Sequence, residues 1–390
     1  MDSLEDLVAP ASPATFLEHF VSKTRWLSRT DAPRRAELLL PWSEIDRLFS
    51  KGGIPAEHFR VIVNRNPMDP RLYLDETSGR LRPDVLQNMA VDGATMRISG
   101  ISKLTPAVGR LGLSIERDLG HRVNINCYLT FGEHSAFHAH YDDHDVIILQ
   151  VHGSKHWRSF GVDAPFPVEG THTSRLTTPV WEEVLGPGDL LYLPRGEVHS
   201  AIPVQRPSVH LTIGVQEATG VDFIEWLARR ARSDEVFRMN LARNATPEQR
   251  AARETALKAA IHALVETSSV GQFLADDDGA RTPLSVAAFN IAGRLGPSSL
   301  VASGLRRRVD LKLEDPGERS VEIGGKRVRL SPLARRILDF LSLRNHAEFS
   351  ALATEVGCEP DDAELGQALV YLARNGMIHI CDSAVRLAQD

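Results

Sequence analysis

Two short stretches hold the residues able to do chemistry. VNINCYLTFGEHSAFHAHYDDHDVIILQVHGSKHWRSF runs from Val123 to Phe160, and GPGDLLYLPRGEVHSA from Gly186 to Ala201. Together they contain His140, Asp142 and His199. Two imidazoles and one carboxylate leave open positions on a metal ion, and that donor set suits non-haem Fe(II). Side chains alternate across a strand. His138, His140, Asp142 and His144 therefore share one face of FHAHYDDHD, while Ala139, Tyr141 and Asp143 share the other. Two neighbours on that face can reach one ion, so the third donor must come from elsewhere.

The second stretch offers it. Gly188, Pro194, Gly196 and His199 stand at the spacing G-x5-P-x-G-x2-H, which resembles a cupin signature. A strand ends, a Pro-Arg-Gly turn reverses it, and His199 opens the next strand on the inner face. Two ligand registers fit. One is His140, Asp142 and His199. In the other, Gly132, His138, His140 and Asp145 nearly complete the motif G-x5-H-x-H-x4-E, with Asp for Glu. That register would serve metal-dependent isomerases or dioxygenases that need no cosubstrate. A lone His on a strand is more often structural than a ligand, but four landmark residues in joint spacing around His199 outweigh that. His134, His152 and His156 read as non-ligands. His138 and His144 read as groups that could orient a ligand or carry protons.

Around these stretches the chain shows three patterns. N-terminal helices come first: residues 13–30 place Phe16, Phe20, Val21 and Trp26 on one helical face, and Ser43 with Asp46 reads as a cap before the helix SEIDRLFS. A strand, HFRVIVNRN, follows, then a helix and irregular chain over 84–107. Short strands with Gly, Pro and Asp turns extend to about Val215, the pattern of a sandwich or barrel. From Thr219 the apolar spacing turns helical, with a capping box at Thr246–Gln249 and a further helix in PLSVAAFNIAGRL. Beyond about 305 come a charged linker, a hairpin (VEIGGKRVRL), three short helices and a closing hairpin (MIHICDSAVRLA), the order of a winged helix. The expected class is thus α+β: a double-stranded β-helix over 1–217 with an N-terminal helical cover, a helical unit over 218–304 and a winged-helix unit over 305–390.

Bulk composition narrows the classes. The 390 residues are 42% apolar and 25% charged, with a net charge of −6, so no global basicity points to nucleic acid or anionic lipid. Cys127, Cys358 and Cys381 are scattered and cannot form a disulfide framework, which fits a reducing compartment. No secretory leader or membrane span is expected, and the location expected is cytoplasmic. The last 60 residues hold five arginines against nine acids, and the third helix opens Asp362-Ala-Glu364. Phosphate would repel that helix, so no DNA binding is expected.

The combined text resembles the JmjC-type oxygenases of the ribosomal-oxygenase branch, also called cupin-4 proteins. It consists of Asn126-x-Tyr128-Leu129-Thr130, His140-Tyr141-Asp142-Asp143, Leu149-Gln150-x-x-Gly153-x-Lys155-x-Trp157-Arg158, Gly188-Asp189-x-Leu191-Tyr192-x-Pro194-Arg195-Gly196-x-x-His199 and Ser208-x-His210-Leu211-Thr212. The resemblance implies Fe(II) on His140, Asp142 and His199, with 2-oxoglutarate and O2 as cosubstrates. It implies that Lys155, fifteen positions after the first His, meets the distal carboxylate of 2-oxoglutarate. A desolvated carboxylate needs such a cation. Asn126, Tyr128 and Thr212 are implied as further cosubstrate contacts. The activity implied is hydroxylation of a C–H of a protein or peptide side chain, ribosomal proteins among the candidates. The alternatives are a hydroxylase of a small metabolite or free amino acid, a demethylase, and a non-catalytic cupin scaffold. The middle helices resemble the family's dimerisation region, implying a homodimer. Two departures stand where relatives meet their targets: FGEHSAFHAH replaces a Pro-rich approach, and Gly214 stands where close relatives carry Ser.

Overall fold

Apolar runs broken by Gly, Pro and Asp turns assemble into one antiparallel sheet. In the computed structural model, which describes the chain except residues 51, 171, 242, 282–294, 310, 312, 315–316, 345 and 382–390, its strands are β1 (Trp26–Ser28), β2 (Phe59–Val63), β3 (Asn66–Pro67), β4 (Thr95–Ile98), β5 (Arg122–Thr130), β6 (His140–Tyr141), β7 (Asp145–Val162), β8 (His172–Thr173), β9 (Trp181–Leu185), β10 (Leu190–Leu193) and β11 (Glu197–Gln216). The order is β1-β10-β7-β11-β5-β4-β2-β3, with β6 bridging β11 and β8, and β9 on β7.

Two long strands dominate. β11 pairs with β7 from Glu197↔Val162 to Val215↔Asp145, with register shifts at Val198/His199 and between Pro203 and His210. Such bulges bend a strand, and its second half also pairs with β5. The run VIIL at 146–149 is continuously apolar, as a strand buried on both faces requires. Ile147, Leu149 and Val151 enter the main core, while Val146 and Ile148 join a second cluster with Trp157 and Leu193. This is the expected cupin fold.

The helical cover differs from expectation in detail. The helix Pro13–Ser22 is capped by Ser12 and buries Phe16 and Phe20, and Phe16 meets Tyr192 edge-on at 5.7 Å. Val21 is 76% exposed, and Trp26 leaves the helix for β1, opposite Tyr192. After a short helix, Arg34–Leu39, the helix Trp42–Ser50 already includes Ser43. The irregular chain expected before 107 contains β4, and the helix Pro106–Leu119 was not expected at all. Its signals are plain: Pro at the first position, Gly120 at φ 71° as a left-handed cap, and Val108, Leu111 and Ile115 buried on one face.

Beyond the barrel, Gly220–Ala231 and Pro247–Glu266 are helices with capping boxes at Thr219/Asp222 and Thr246/Gln249, and Val270–Gly279 follows. Residues 283–294 of the expected further helix lie outside the described residues. The C-terminal unit has β12 (Leu300–Ser303), the hairpin β13 (Arg319–Ile323) and β14 (Lys326–Leu330), β15 (His346–Glu348) and β16 (Ile378–Cys381). Its helices are Pro332–Arg344, Phe349–Glu355 and Ala363–Arg374. Because β12 pairs with both β15 and β16, residues 300–303 belong with this unit rather than with the helical segment before it. The second arm of the closing hairpin lies outside the described residues. Among the described residues no helix is long and apolar enough to cross a membrane.

Candidate active site

The fold brings the two chemistry-bearing stretches face to face. β6 pairs with β11 at a single point, His140↔His199, and the ring centroids lie 4.6 Å apart. His199 stands two residues into β11 because the chain has just turned at Gly196, φ 83°, where a Cβ would run into the Ala164 carbonyl. Asp142 Oδ2 is 3.7 Å from His199 Nε2. One donor atom from each of His140, Asp142 and His199 lies within 4.8 Å of the others, and this is the cluster among the described residues that could hold a metal ion.

The backbone sets the tautomers. His140 Nδ1 is 2.8 Å from the His138 carbonyl, and His199 Nδ1 is 3.0 Å from the Glu197 carbonyl. An Nδ1–H donated to each carbonyl leaves both Nε2 lone pairs free for a metal. Burial, and then the neighbouring His140, push the His199 pKa down to about 4, so the ring is neutral near pH 7. Glu197 is in turn held by Arg25 and Ser159.

The alternative register is not assembled. Asp145 turns away from the triad into a buried polar knot. It accepts from Tyr192 Oη at 2.8 Å, from the Arg195 amide at 2.8 Å and from Lys23 Nζ at 2.7 Å. His138 and His144 do line the cavity, as the alternation predicted, but neither belongs to the three-residue cluster.

The triad opens into a cavity of about 550 Å³. At the other end of this cavity lies Lys155, only 4% exposed. Its Nζ donates to Thr130 Oγ1 at 3.0 Å and sits 2.9 Å from His210 Nδ1. Burial pushes the Lys155 pKa down to about 7. Burial, with Lys155 beside it, also holds the His210 imidazole well below its ordinary value, so His210 accepts from the lysine. His210 stacks on Tyr128 with ring centroids 4.9 Å apart and meets Trp157 edge-on at 5.4 Å.

Strand registry places the other expected contacts. Asn126 faces Thr212 and Tyr128 faces His210 across β5 and β11, and all four line the cavity. Asn126 Oδ1 accepts from the Gly100 amide at 3.1 Å. Sequence reasoning missed Thr130, His210, Trp157 and Arg97. Period two along β5 and β11 would have found the first two, since Thr130 shares a face with Tyr128, and His210 shares one with Thr212.

Gly214 also has a local cause. It lies in mid-strand, where glycine weakens a sheet, and its φ is ordinary. A Cβ there would come within 2.7 Å of His144 Cδ2 and 2.8 Å of Nε2. The His144 ring thus takes the space of a side chain at 214. Its Nδ1 is 2.8 Å from Asp143 Oδ1, and Asp143 Oδ2 accepts from the Gly170 amide at 2.7 Å.

An antiparallel cupin barrel with a His-Asp-His cluster at its mouth and a buried lysine within is matched by comparison with known proteins. Residues 110–223 match the family model of the JmjC domain. Among curated proteins, a bifunctional lysine-specific demethylase and histidyl-hydroxylase NO66 from Drosophila willistoni is 32% identical over 222 residues, covering 53% of this chain and 28% of the relative. Ribosomal oxygenase 2 of Mus musculus is 31% identical over 225 residues, covering 55% and 47%. The chain thus spans less than half the length of these relatives. Among solved structures, YcfD of E. coli superposes with a TM-score of 0.56 at 16% identity, covering 95% of this chain and 98% of that one, a likeness of fold. Another YcfD structure is a complex with cobalt and 2-oxoglutarate.

Proposed function

We propose that this chain is an Fe(II)- and 2-oxoglutarate-dependent oxygenase that hydroxylates a C–H bond of a protein or peptide side chain. In the overall reaction, 2-oxoglutarate, O2 and the acceptor C–H become succinate, CO2 and the hydroxylated acceptor. The observation that carries this reading is one cavity with two unlike ends: the donor set of His140, Asp142 and His199 at one, and the buried cation Lys155 at the other.

The donor set fits the metal. Both Nε2 atoms are free to ligate, Asp142 supplies a hard oxygen, and three protein donors leave positions open. When bound, Fe(II) supplies the oxidising chemistry together with 2-oxoglutarate and O2. The protein's share is placement. His138 and Glu197 carbonyls fix the ligand rings, Lys155 receives the distal carboxylate, and Asn126, Tyr128 and Thr212 flank the cosubstrate. Thr130 and His210 hold the Lys155 ammonium in place. The names of its relatives make ribosomal proteins the first acceptors to try.

Three organisational points belong to the same reading. The units are 1–217, 218–304 and 305–390, with residues 300–303 contributing a strand to the last, and that last unit is a winged helix that serves protein contacts rather than DNA. The middle helices form a homodimer interface. In support, Pro247–Glu266 runs 20 residues with no buried side chain, and Leu241, Ile261 and Val265 are exposed. The location is cytoplasmic. Succinate formation in Fe(II)-loaded wild type and His140→Ala tests the activity. If wild type consumes no 2-oxoglutarate with or without a protein acceptor, the oxygenase reading fails. Light scattering of the purified chain tests the dimer.

A further inference from the structure

The charges lining the cavity do not balance, and the excess lies on the side away from Lys155. Three cations line it, Arg65, Arg97 and Lys155, against one carboxylate, Asp142, which belongs to the metal cluster. Several other arginines of the barrel meet acids: Arg25 pairs with Glu197, Arg29 with Asp189 and Arg206 with Glu133. Among the described residues Arg65 and Arg97 have no such partner. Arg65 contacts His138 Nδ1 at 3.4 Å. Arg97 stands beside the Tyr128 phenol, where its charge opposes the upward push of burial on that group, and its Nε is sealed from water with no acceptor.

Arg97 lies one strand beyond Tyr128, on the side away from His210 and Lys155. His210, Tyr128 and Arg97 form one row across β11, β5 and β4. Two strand spacings put Arg97 about 10 Å along the sheet from the His210–Lys155 corner. On the oxygenase reading, which this inference rests on, 2-oxoglutarate answers Lys155, and the metal adds further positive charge. Arg65 and Arg97 then remain uncompensated at the acceptor side. A partly buried guanidinium such as that of Arg97 pairs well with carboxylate, while an arginine or lysine acceptor would meet like charge in a confined space.

We propose that Arg97, with Arg65 at the rim, selects an acceptor that carries a carboxylate at or beside the hydroxylated carbon. An aspartate or glutamate side chain of a peptide supplies that chemistry, and so does a free acidic amino acid.

The test uses the full chain loaded with Co(II) and 2-oxoglutarate, so that binding is read without turnover. Titration calorimetry compares end-blocked peptides Gly-Gly-Xaa-Gly-Gly, with Xaa as Glu, Gln or Arg, and free glutamate. The Glu peptide should bind about tenfold or more tightly than the Gln peptide, with the Arg peptide weakest. Arg97→Gln should bring the Glu-over-Gln ratio close to one, Arg97→Lys should restore part of it, and Arg65→Glu at the exposed rim should shrink it. Binding of free glutamate without the blocked peptide supports the carboxylate rule and makes the acceptor a small molecule. Equal binding of Glu and Gln peptides, a preference for the Arg peptide, or no binding by any of these probes overturns the proposal. So does an Arg97→Gln protein that loses 2-oxoglutarate affinity as much as peptide affinity, which would place Arg97 at the cosubstrate. Failure of the oxygenase reading shows separately, as absent 2-oxoglutarate consumption by the Fe(II) protein.

Discussion

The floor and the rim of the cavity are built by different rules. The floor is strand-borne: Lys155, Thr130, His210 and Tyr128 sit on β5, β7 and β11, and Lys155 and His210 are hydrogen-bonded partners in the interior. The rim is loop-borne: Arg65 sits in the tight turn between β2 and β3, and His138 and His144 flank the two-residue β6. Strand pairing fixes the floor to one geometry, so its chemistry follows from residue types and spacing. The rim takes its shape from local contacts such as His144 on Gly214, so its selectivity depends on individual side chains.

The largest break in this contrast should come at the metal cluster between the two regions. His199→Ala removes a buried donor and should lower metal affinity and metal-dependent 2-oxoglutarate consumption by more than about 100-fold, beyond what loss of an outer partner costs. Metal content after dialysis checks it, and a variant that retains full metal occupancy would refute the cluster.

Next in size is the floor. Lys155→Met should weaken 2-oxoglutarate binding by about 100-fold, because the distal carboxylate would be buried unpaired. A rim residue such as Arg65 should leave that constant nearly untouched. Equal effects on cosubstrate affinity from floor and rim would erase the distinction.

The floor also predicts a pH signature. The Lys155 pKa is depressed to about 7 from an ordinary 10.5. Between those values the unfolded chain holds a proton that the ligand-free folded chain lacks, so folding stability contributed by this site rises with pH over that window. Urea unfolding of wild type against Lys155→Met should show wild type gaining on the variant from pH 7 to 9. A bound dianion favours the ammonium, so 2-oxoglutarate binding at pH 8 should take up a proton. Calorimetry in buffers of different ionisation heat measures this, and zero uptake would contradict it.

The smallest effect tests the rim. Gly214→Ala forces a Cβ against His144 and should cost about 1–3 kcal/mol of stability. In a His144→Ala background the cost should nearly vanish. An unchanged cost in that background would mean that Gly214 serves some other neighbour.

How much was legible follows the same divide. Strand alternation and a fixed turn made the candidate ligands readable, while the choice of His140, Asp142 and His199, and the singling out of Lys155, Asn126, Tyr128 and Thr212, came from the family resemblance. Alternation alone could not separate the two registers, since His138, His140, Asp142 and His144 all reach the cavity. What removes Asp145 is its capture by Tyr192, Lys23 and the Arg195 amide, contacts from distant elements. The helix Pro106–Leu119 was legible and passed over, its proline start and glycine stop being ordinary punctuation. The strand Leu300–Ser303 was not, because four residues in a helical neighbourhood gain their identity from partners some 45 and 80 residues downstream.

The Asp145 knot bears on where this protein can be cut. Lys23 lies just past the helix Pro13–Ser22, and its ammonium meets both Asp145 and Glu217. Asp145 itself stands three residues after Asp142. A truncation that begins at β2 would strip this carboxylate of its cation and Tyr192 of the Phe16 and Phe20 rings. The leading residues are therefore a keystone of the barrel mouth, and an expression design that discards them as a dispensable leader should yield a chain that no longer holds its metal.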